Sequence, residues 1–364
     1  MTVFKRGPPF MAEQKKKGMF LVKFKQESEF STYSSLGIAD EEVIHEFKIA
    51  RMIECEITEE LMESLNKNPD ISYVERNIPV YAYQQEVPYG ITRVQAPEVH
   101  QEGHAGSGVK LGIIDTGIDA AHEDLNVADG FSVFDSGEDA DLYNDGSGHG
   151  THVAGTAAAL DNDTGVVGVA PEASLYAIKV LDGDGSGSSA GVVRGLEWAI
   201  QNEMGVINMS LGSPEPSRAI QDAVDIAFNE HDILVVAAAG NEGNEEGTGN
   251  TVGYPAQHDA VLAVAATDDN DARAPFSSTG PGVDVAAPGA SILSSVPGNS
   301  YDRLDGTSMA APHVSGAGAV LRAAFPEESA AEIKERIIST AKDIGDNAEW
   351  YGSGLLQLLD AVNR

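Results

Sequence analysis

Only one cysteine, Cys55, occurs in 364 residues. No disulfide can therefore close within the chain, and neither a thiolate zinc site nor an iron–sulfur cluster can be assembled. Long apolar runs are also missing: none approaches the roughly 20 residues a membrane-spanning helix needs, so the sequence predicts a soluble chain with no membrane partner. Basic residues are scarce, 23 Lys and Arg against 57 Asp and Glu for a formal charge of −34. Such a surface lacks the clustered cations that hold a phosphate backbone, which excludes nucleic acid as a partner. The first twenty residues, MTVFKRGPPFMAEQKKKGMF, are polar and Lys-rich and carry no apolar h-region, so either the protein stays inside the cell or its export signal lies outside this sequence. There is no repeat of fixed period and no long low-complexity segment.

What is present suits a large globular domain with a small companion. The length allows two domains and the 42% hydrophobic content is ordinary. The acidity is unevenly placed. Residues 1–83 hold 11 basic and 14 acidic side chains, and residues 84–364 hold 12 and 43, a net of −31. A surface this acidic is best tolerated where salt screens its self-repulsion, which points to a saline habitat.

Extended and helical patterns alternate over the first part: a strand over 19–25, a short helix over 28–36, a strand over 45–57, a helix over 58–70 capped by Thr58, and an extended segment over 72–83. This is a small α+β unit that can barely bury its own core. From Val109 onward, apolar runs at 109–115, 174–181, 205–211, 232–240, 260–266 and 283–289 read as strands. Helical stretches lie between them, among them Gly191 to Gln201 and Arg218 to Asn229. Near-continuous Val, Ile, Leu and Ala strands joined by helices predict an α/β domain in three layers, with a mainly parallel central sheet covered on both faces.

Four segments place a reactive side chain at a sharp structural position. In LGIIDTGID an apolar strand ends on Asp115, where a carboxylate is either a turn residue or a rigidly held orienting group. In GHGTHVAGT, His149 stands between glycines at a helix start, and His152 follows three residues on. A shared metal is the rival reading of that pair, but no HExxH and no third ligand accompany it, and His152 is expected to be structural. In DGTSMAAPHVSGAGA a Gly-Thr-Ser turn enters a helix of small residues, with Ser308 at its positive end. Ser308 is there either an N-cap or a nucleophile beside a backbone N–H that favours an oxyanion. In VVAAAGNEG a buried strand ends at Gly240-Asn241, where the amide is a turn residue or an oxyanion donor.

The order Asp, His, Ser and the four motifs together resemble the subtilisin family, closely over 84–364 and more loosely over 19–83. That resemblance implies a subtilisin-like peptidase domain over 84–364 and a ferredoxin-like α+β propeptide over 19–83, acting as chaperone and inhibitor, behind a leader of residues 1–18. It implies a serine endopeptidase, made as a zymogen, that takes protein and peptide substrates as a monomer. Ser308 is its nucleophile, His149 its base, Asp115 the orienting carboxylate and Asn241 an oxyanion donor. Gly185, Ser186 and Gly187 on one edge and Ser210, Leu211 and Gly212 on the other would bind extended substrate. The pocket for the P1 side chain would be walled by the latter three with Ala239, Gly240 and Gly253, and rimmed by Glu242. A large apolar or aromatic P1 residue is expected, with an open P4 pocket beside Ser186 to Ser189. Tyr254-Pro255 resembles the family's cis-proline turn. A structural Ca²⁺ would be held by Gln85, Asp124, Leu160, Asn162, Thr164 and Val166. The other acidic candidate, Asp182 to Val193, fails as an EF-hand because Val193 stands where the twelfth-position glutamate should be. Self-cleavage between Tyr83 and Gln84 is expected. The protein is expected to be secreted, with the cytoplasm as the alternative.

Overall fold

A computed structural model describes residues 17–25, 33–78 and 85–364. The chain divides into two compact units, Met1–Ala82 and Tyr83–Arg364. The anticipated processing residues Tyr83 and Gln84 lie outside the described residues, as does most of the helix expected over 28–36.

In the smaller unit, β1 (Lys17–Phe24), β2 (Val43–Phe47), β3 (Met52–Thr58) and β4 (Ile71–Arg76) form an antiparallel sheet in the order β2-β3-β1-β4. Helix α1 (Glu59–Leu65) joins β3 to β4, and Thr58 caps it, accepting from Leu61 N at 3.3 Å. Phe20, Val22 and Phe24 alternate along β1 and bury with Ile53, Cys55 and Ile57 of β3, the period-two pattern of a sheet with one covered face. Residues 45–57 are a hairpin, not the single strand expected. Arg51 adopts φ +49 in the turn, a left-handed conformation that no glycine or asparagine announced.

The larger unit begins with α2 (Tyr89–Arg93) and α3 (Ala96–Gln101). It continues through β5 (Lys110–Asp115), β6 (Val127–Ser132), α4 (His149–Ala158), β7 (Ser174–Lys179), α5 (Ser189–Gln201), β8 (Val206–Met209), α6 (Arg218–Asn229) and β9 (Leu234–Ala238). There follow β10 (Val261–Thr267), β11 (Val285–Pro288), β12 (Ile292–Val296), β13 (Ser300–Leu304), α7 (Thr307–Ala324), α8 (Ala330–Thr340), α9 (Ala348–Tyr351) and α10 (Leu358–Asn363). Seven strands form one parallel sheet in the order β11-β10-β9-β8-β5-β7-β6, and β12 and β13 form a separate antiparallel pair.

Alternation within the strands divides the core into the expected layers. Leu111, Ile113, Val206 and Val236 face the side of α4 and α7, and Ile114, Ile207 and Val235 face α5 and α6. Helix α7 runs through the interior, every residue from Met309 to Leu321 being buried. Only small side chains fit there: a Cβ on Gly316 would meet Val169 Cβ at 2.7 Å, and one on Gly318 would meet Leu234 Cδ2 at 2.5 Å. Among the described residues, no helix is long and apolar enough to cross a membrane.

Candidate active site

Asp115 ends β5, Ser210 follows β8, Asn241 follows β9, His149 opens α4 and Ser308 is the second residue of α7. All five gather at the carboxyl end of the sheet, where the order of connections reverses between β7 and β8 on either side of β5, the usual crevice position in α/β sheets.

Asp115 is fully buried and its Oδ1 lies 2.7 Å from His149 Nδ1, while the same oxygen accepts Thr116 N at 2.8 Å. Close approach of α4 to the turn after β5 makes this contact: a Cβ on Gly150 would stand 2.1 Å from Gly117 O. Burial pulls the His149 pKa down, but the Asp115 charge and hydrogen bond outweigh it and the net shift is upward. His152 is directed elsewhere, its Nε2 at 2.9 Å from Ile292 O and 3.2 Å from Asp302 O.

Ser308 is clasped by Ser210. Its hydroxyl donates to Ser210 O at 3.3 Å, and Ser210 Oγ donates to Ser308 O at 2.8 Å while accepting from buried Asn208 Nδ2 at 2.9 Å. Asn241 is oriented by Thr307, whose N and Oγ1 both donate to Asn241 Oδ1, at 2.9 and 3.0 Å. The amide nitrogen is thereby left on the side of Gly306. Asn241 Nδ2 and Ser308 N each lie 3.6 Å from where a Cβ on Gly306 would stand, so glycine keeps clear the space between two N–H donors.

Two clefts meet along Ser210 to Ser213. The first, about 510 Å³, has His149, Gly185, Ser186 and Gly187 opposite Ser210, Leu211 and Gly212, and reaches Val192, Ile220 and Tyr254. The second, about 260 Å³, ends at Ser308 and Asn241 and includes Gly240, Glu242 and Gly253. Among the expected wall residues, Ala239 takes part through its backbone alone. Ala238 lines this cleft, whereas the Ala239 side chain is buried in the core on the α5 and α6 side of the sheet; Ala239 contributes its backbone, accepting Gly253 N at 2.8 Å. Glu242 Oε2 accepts Asn241 N at 2.9 Å. Tyr254-Pro255 is cis. Composition alone did not disclose Thr116, Asp145 or Lys179. The buried Lys179 ammonium donates to Thr116 O at 2.6 Å and pairs with Asp139 at 3.0 Å, a role that lies in tertiary contacts without a local motif.

Away from the clefts, the expected cation ligands converge. Gln85 Nε2 bonds Leu160 O at 2.5 Å and Val166 O at 3.1 Å, and Asp124 Oδ2 accepts Val166 N at 2.8 Å. Asn162 Oδ1 accepts from Thr164 N and Oγ1. Asp124 is fully buried, and its Oδ1 has no hydrogen-bond partner. A buried carboxylate oxygen without a partner, on a residue bonded to the 160–166 loop, fits an oxygen-liganded cation.

The sequence comparisons agree with this geometry. Residues 106–354 match the profile described as the subtilase family, and the chain belongs to that family: it is a serine endopeptidase of subtilisin type, a hydrolase of protein substrates. It is 46% identical to subtilisin E of Bacillus subtilis (strain 168) over 347 residues, 94% of this chain and 90% of the relative. It is 54% identical to subtilisin DY of Bacillus licheniformis over 275 residues, 75% of this chain and 98% of the relative. Against an alkaline protease of Alkalihalobacillus alcalophilus the figure is 44% over 344 residues, 94% and 88%.

Proposed function

We propose that this protein is a broad-specificity endopeptidase that prefers a large apolar or aromatic P1 residue and acts by acyl transfer. The observation that carries the reading is the 2.7 Å Asp115–His149 contact beside two clefts that share the wall Ser210 to Ser213, the first lined by His149 and the second ending at Ser308. Ser308 Oγ gives its proton to His149 as it attacks the scissile carbonyl, turning away from the long bond to Ser210 O. Asp115 fixes the tautomer that leaves Nε2 free to accept, and it stabilises the imidazolium. Asn241 Nδ2 and Ser308 N receive the oxyanion. His149 then returns the proton to the leaving amine, and water activated by the same imidazole releases the acyl group.

Extended substrate lies between Gly185 to Gly187 and Ser210 to Gly212, bonded through backbone, which tolerates many sequences. The glycine walls of the second cleft leave room for a large P1 side chain, and Glu242 at its rim also accommodates Lys or Arg. Serines 186, 188 and 189 leave the P4 end open.

Gln85, Asp124, Leu160 O, Asn162, Thr164 O and Val166 O would hold a structural Ca²⁺, which ties the start of this domain to the loop after α4 and takes no part in the acyl transfer. The smaller unit is a propeptide that guides folding and then inhibits, and the chain cuts itself between Tyr83 and Gln84. Its place of work is outside the cell, a reading supported by the full-length propeptide; retention in the cytoplasm is the alternative.

The test is the Ser308→Ala chain. It should fold, hydrolyse neither casein nor peptide amides with an aromatic P1, and remain uncut, whereas the parent's mature terminus should read Gln-Gln-Glu-Val. Retained activity in the alanine variant refutes the mechanism, and a new terminus far from Gln84 refutes the processing site.

A further inference from the structure

Helix α4 has an unusual start. Its N-cap is Gly148, which offers no side chain, so the first N–H groups of the helix must be satisfied from elsewhere. Asp145 supplies the acceptors. Only 6% exposed, it receives Gly148 N at 2.9 Å on Oδ1 and both Thr151 N (2.8 Å) and Thr151 Oγ1 (2.6 Å) on Oδ2. Its Oδ1 also accepts Thr116 Oγ1 at 2.7 Å, and that hydroxyl in turn accepts Gly150 N at 2.9 Å. Thr116 is the residue whose N–H bonds Asp115 Oδ1. One carboxylate thus reaches both sides of the Asp115–His149 contact, the helix start that carries the histidine and the strand end that carries the aspartate.

We infer that Asp145 is a positioning residue for the hydrolysis, holding His149 in register with Asp115 and adding a second negative charge behind the imidazole. The inference rests on the reading of Asp115 and His149 as the catalytic pair. Without the carboxylate, two N–H groups and two hydroxyls lose an acceptor, and the strand end and helix start lose their common tie. The charge acts in the same direction as Asp115 in raising the His149 pKa. The other charged groups around the imidazole do not substitute for it: His152 of the same helix is buried and neutral, and the Lys179 ammonium from β7 is occupied by Thr116 O and Asp139.

A plain helix cap would protect stability alone. Positioning predicts a different pattern in the full chain, with active enzyme counted by phosphonylation of the serine. Asp145→Asn keeps the shape but turns an amide donor towards groups that are themselves donors. It should lower kcat by roughly 10- to 100-fold, the scale of a small misplacement of reacting groups, with KM within about twofold. The acid limb of kcat/KM should move to lower pH by roughly 0.3–1 unit, as expected when one nearby charge is removed from a partly solvated site. Thr116→Val cuts the tie and leaves the charge, so kcat should fall without movement of the acid limb, and Thr116→Ser should recover the parent kcat. If Asp145→Asn lowers only the melting temperature, or if it fails to fold and Thr116→Val keeps the parent kcat, Asp145 is a cap and the inference falls. An active Ser308→Ala chain would instead overturn the assignment of the site on which it rests.

Discussion

Two histidines buried beside the active helix should make this fold unusually sensitive to mild acid. His152 and His313 are fully buried, and burial, the dominant cause in each, holds their pKa values down at about 4 against an ordinary 6.5. Each has one nitrogen engaged, His152 Nε2 with Ile292 O and His313 Nδ1 with Met309 O, and the other nitrogen of each is buried without a partner. Protonating that second nitrogen would place a charge where nothing receives it, and the two rings also disfavour each other's charge. Because the folded pKa is depressed, the unfolded chain binds protons first as pH falls. The neutral rings contribute stability that is complete above about 6.5 and is lost on the way down to about 4. Between those limits each ring should cost about 1.4 kcal/mol per pH unit, hence about 3 kcal/mol over its window and twice that for the pair. His149, whose folded pKa is raised because the Asp115 charge and hydrogen bond outweigh burial, acts with the opposite sign, its stability being present below the ordinary 6.5, and it is common to the parent and the variant compared below. The assay is the denaturant-unfolding free energy of the uncleaved Ser308→Ala chain from pH 7 to pH 4.5 at constant calcium. His313→Met removes one titrating group, so the slope against pH should fall by about 1.4 kcal/mol per unit whatever the variant's absolute stability. A slope equal to that of the parent would refute the argument.

Three further outcomes are expected. Replacing Asn241 by Ala should lower kcat by about 10²–10³ with little change in KM, the magnitude known for the corresponding loss in subtilisin itself and adopted here on family grounds, and a change confined to KM counts against an oxyanion role. Chelation should lower the melting temperature of the parent and added Ca²⁺ should restore it, while an Asp124→Ala variant should no longer respond; an unchanged response misplaces the site. Raising NaCl from low to molar concentration should raise the melting temperature by screening the net −31 of residues 84–364; a flat or falling curve contradicts the saline reading and leaves the protease assignment untouched.

The parallel sheet was legible because its strands are covered on both faces: β9 is apolar throughout and β5 and β10 are apolar but for their terminal residues, and length and flanking glycines marked their ends. Helix α7 was legible for a similar reason, since a helix of Ala, Gly and Ser can only be a closely packed one. Strand β6 was missed because VADGFS reads as a turn; Gly130 is required there by close approach, a Cβ standing 2.1 Å from Ala177 O. The β12–β13 hairpin, mixed and partly exposed, carried no strong periodicity. At the site, Asp115, His149, Asn241 and Ser308 each sat in a motif, and these are the residues the fold gathers at the carboxyl end of the sheet. Ala238, not named from the sequence, lines the cleft where Ala239 was expected, because neighbouring residues at a strand end send their side chains to opposite faces of the sheet. Asp145 was invisible for another reason: its partners are N–H groups and hydroxyls whose positions depend on how Gly148 and Thr116 come together.

The burial of α7 bears on how such an enzyme coexists with its own unfinished copies. Ser308 stands near the tip of a helix that is threaded through the core from Met309 to Leu321, with no room for a larger side chain at Gly316 and Gly318. His149 rides on α4, which packs directly against α7. The nucleophile and its base therefore come into register only when the interior has closed, so a half-folded chain, the most digestible form of this protein, has no teeth.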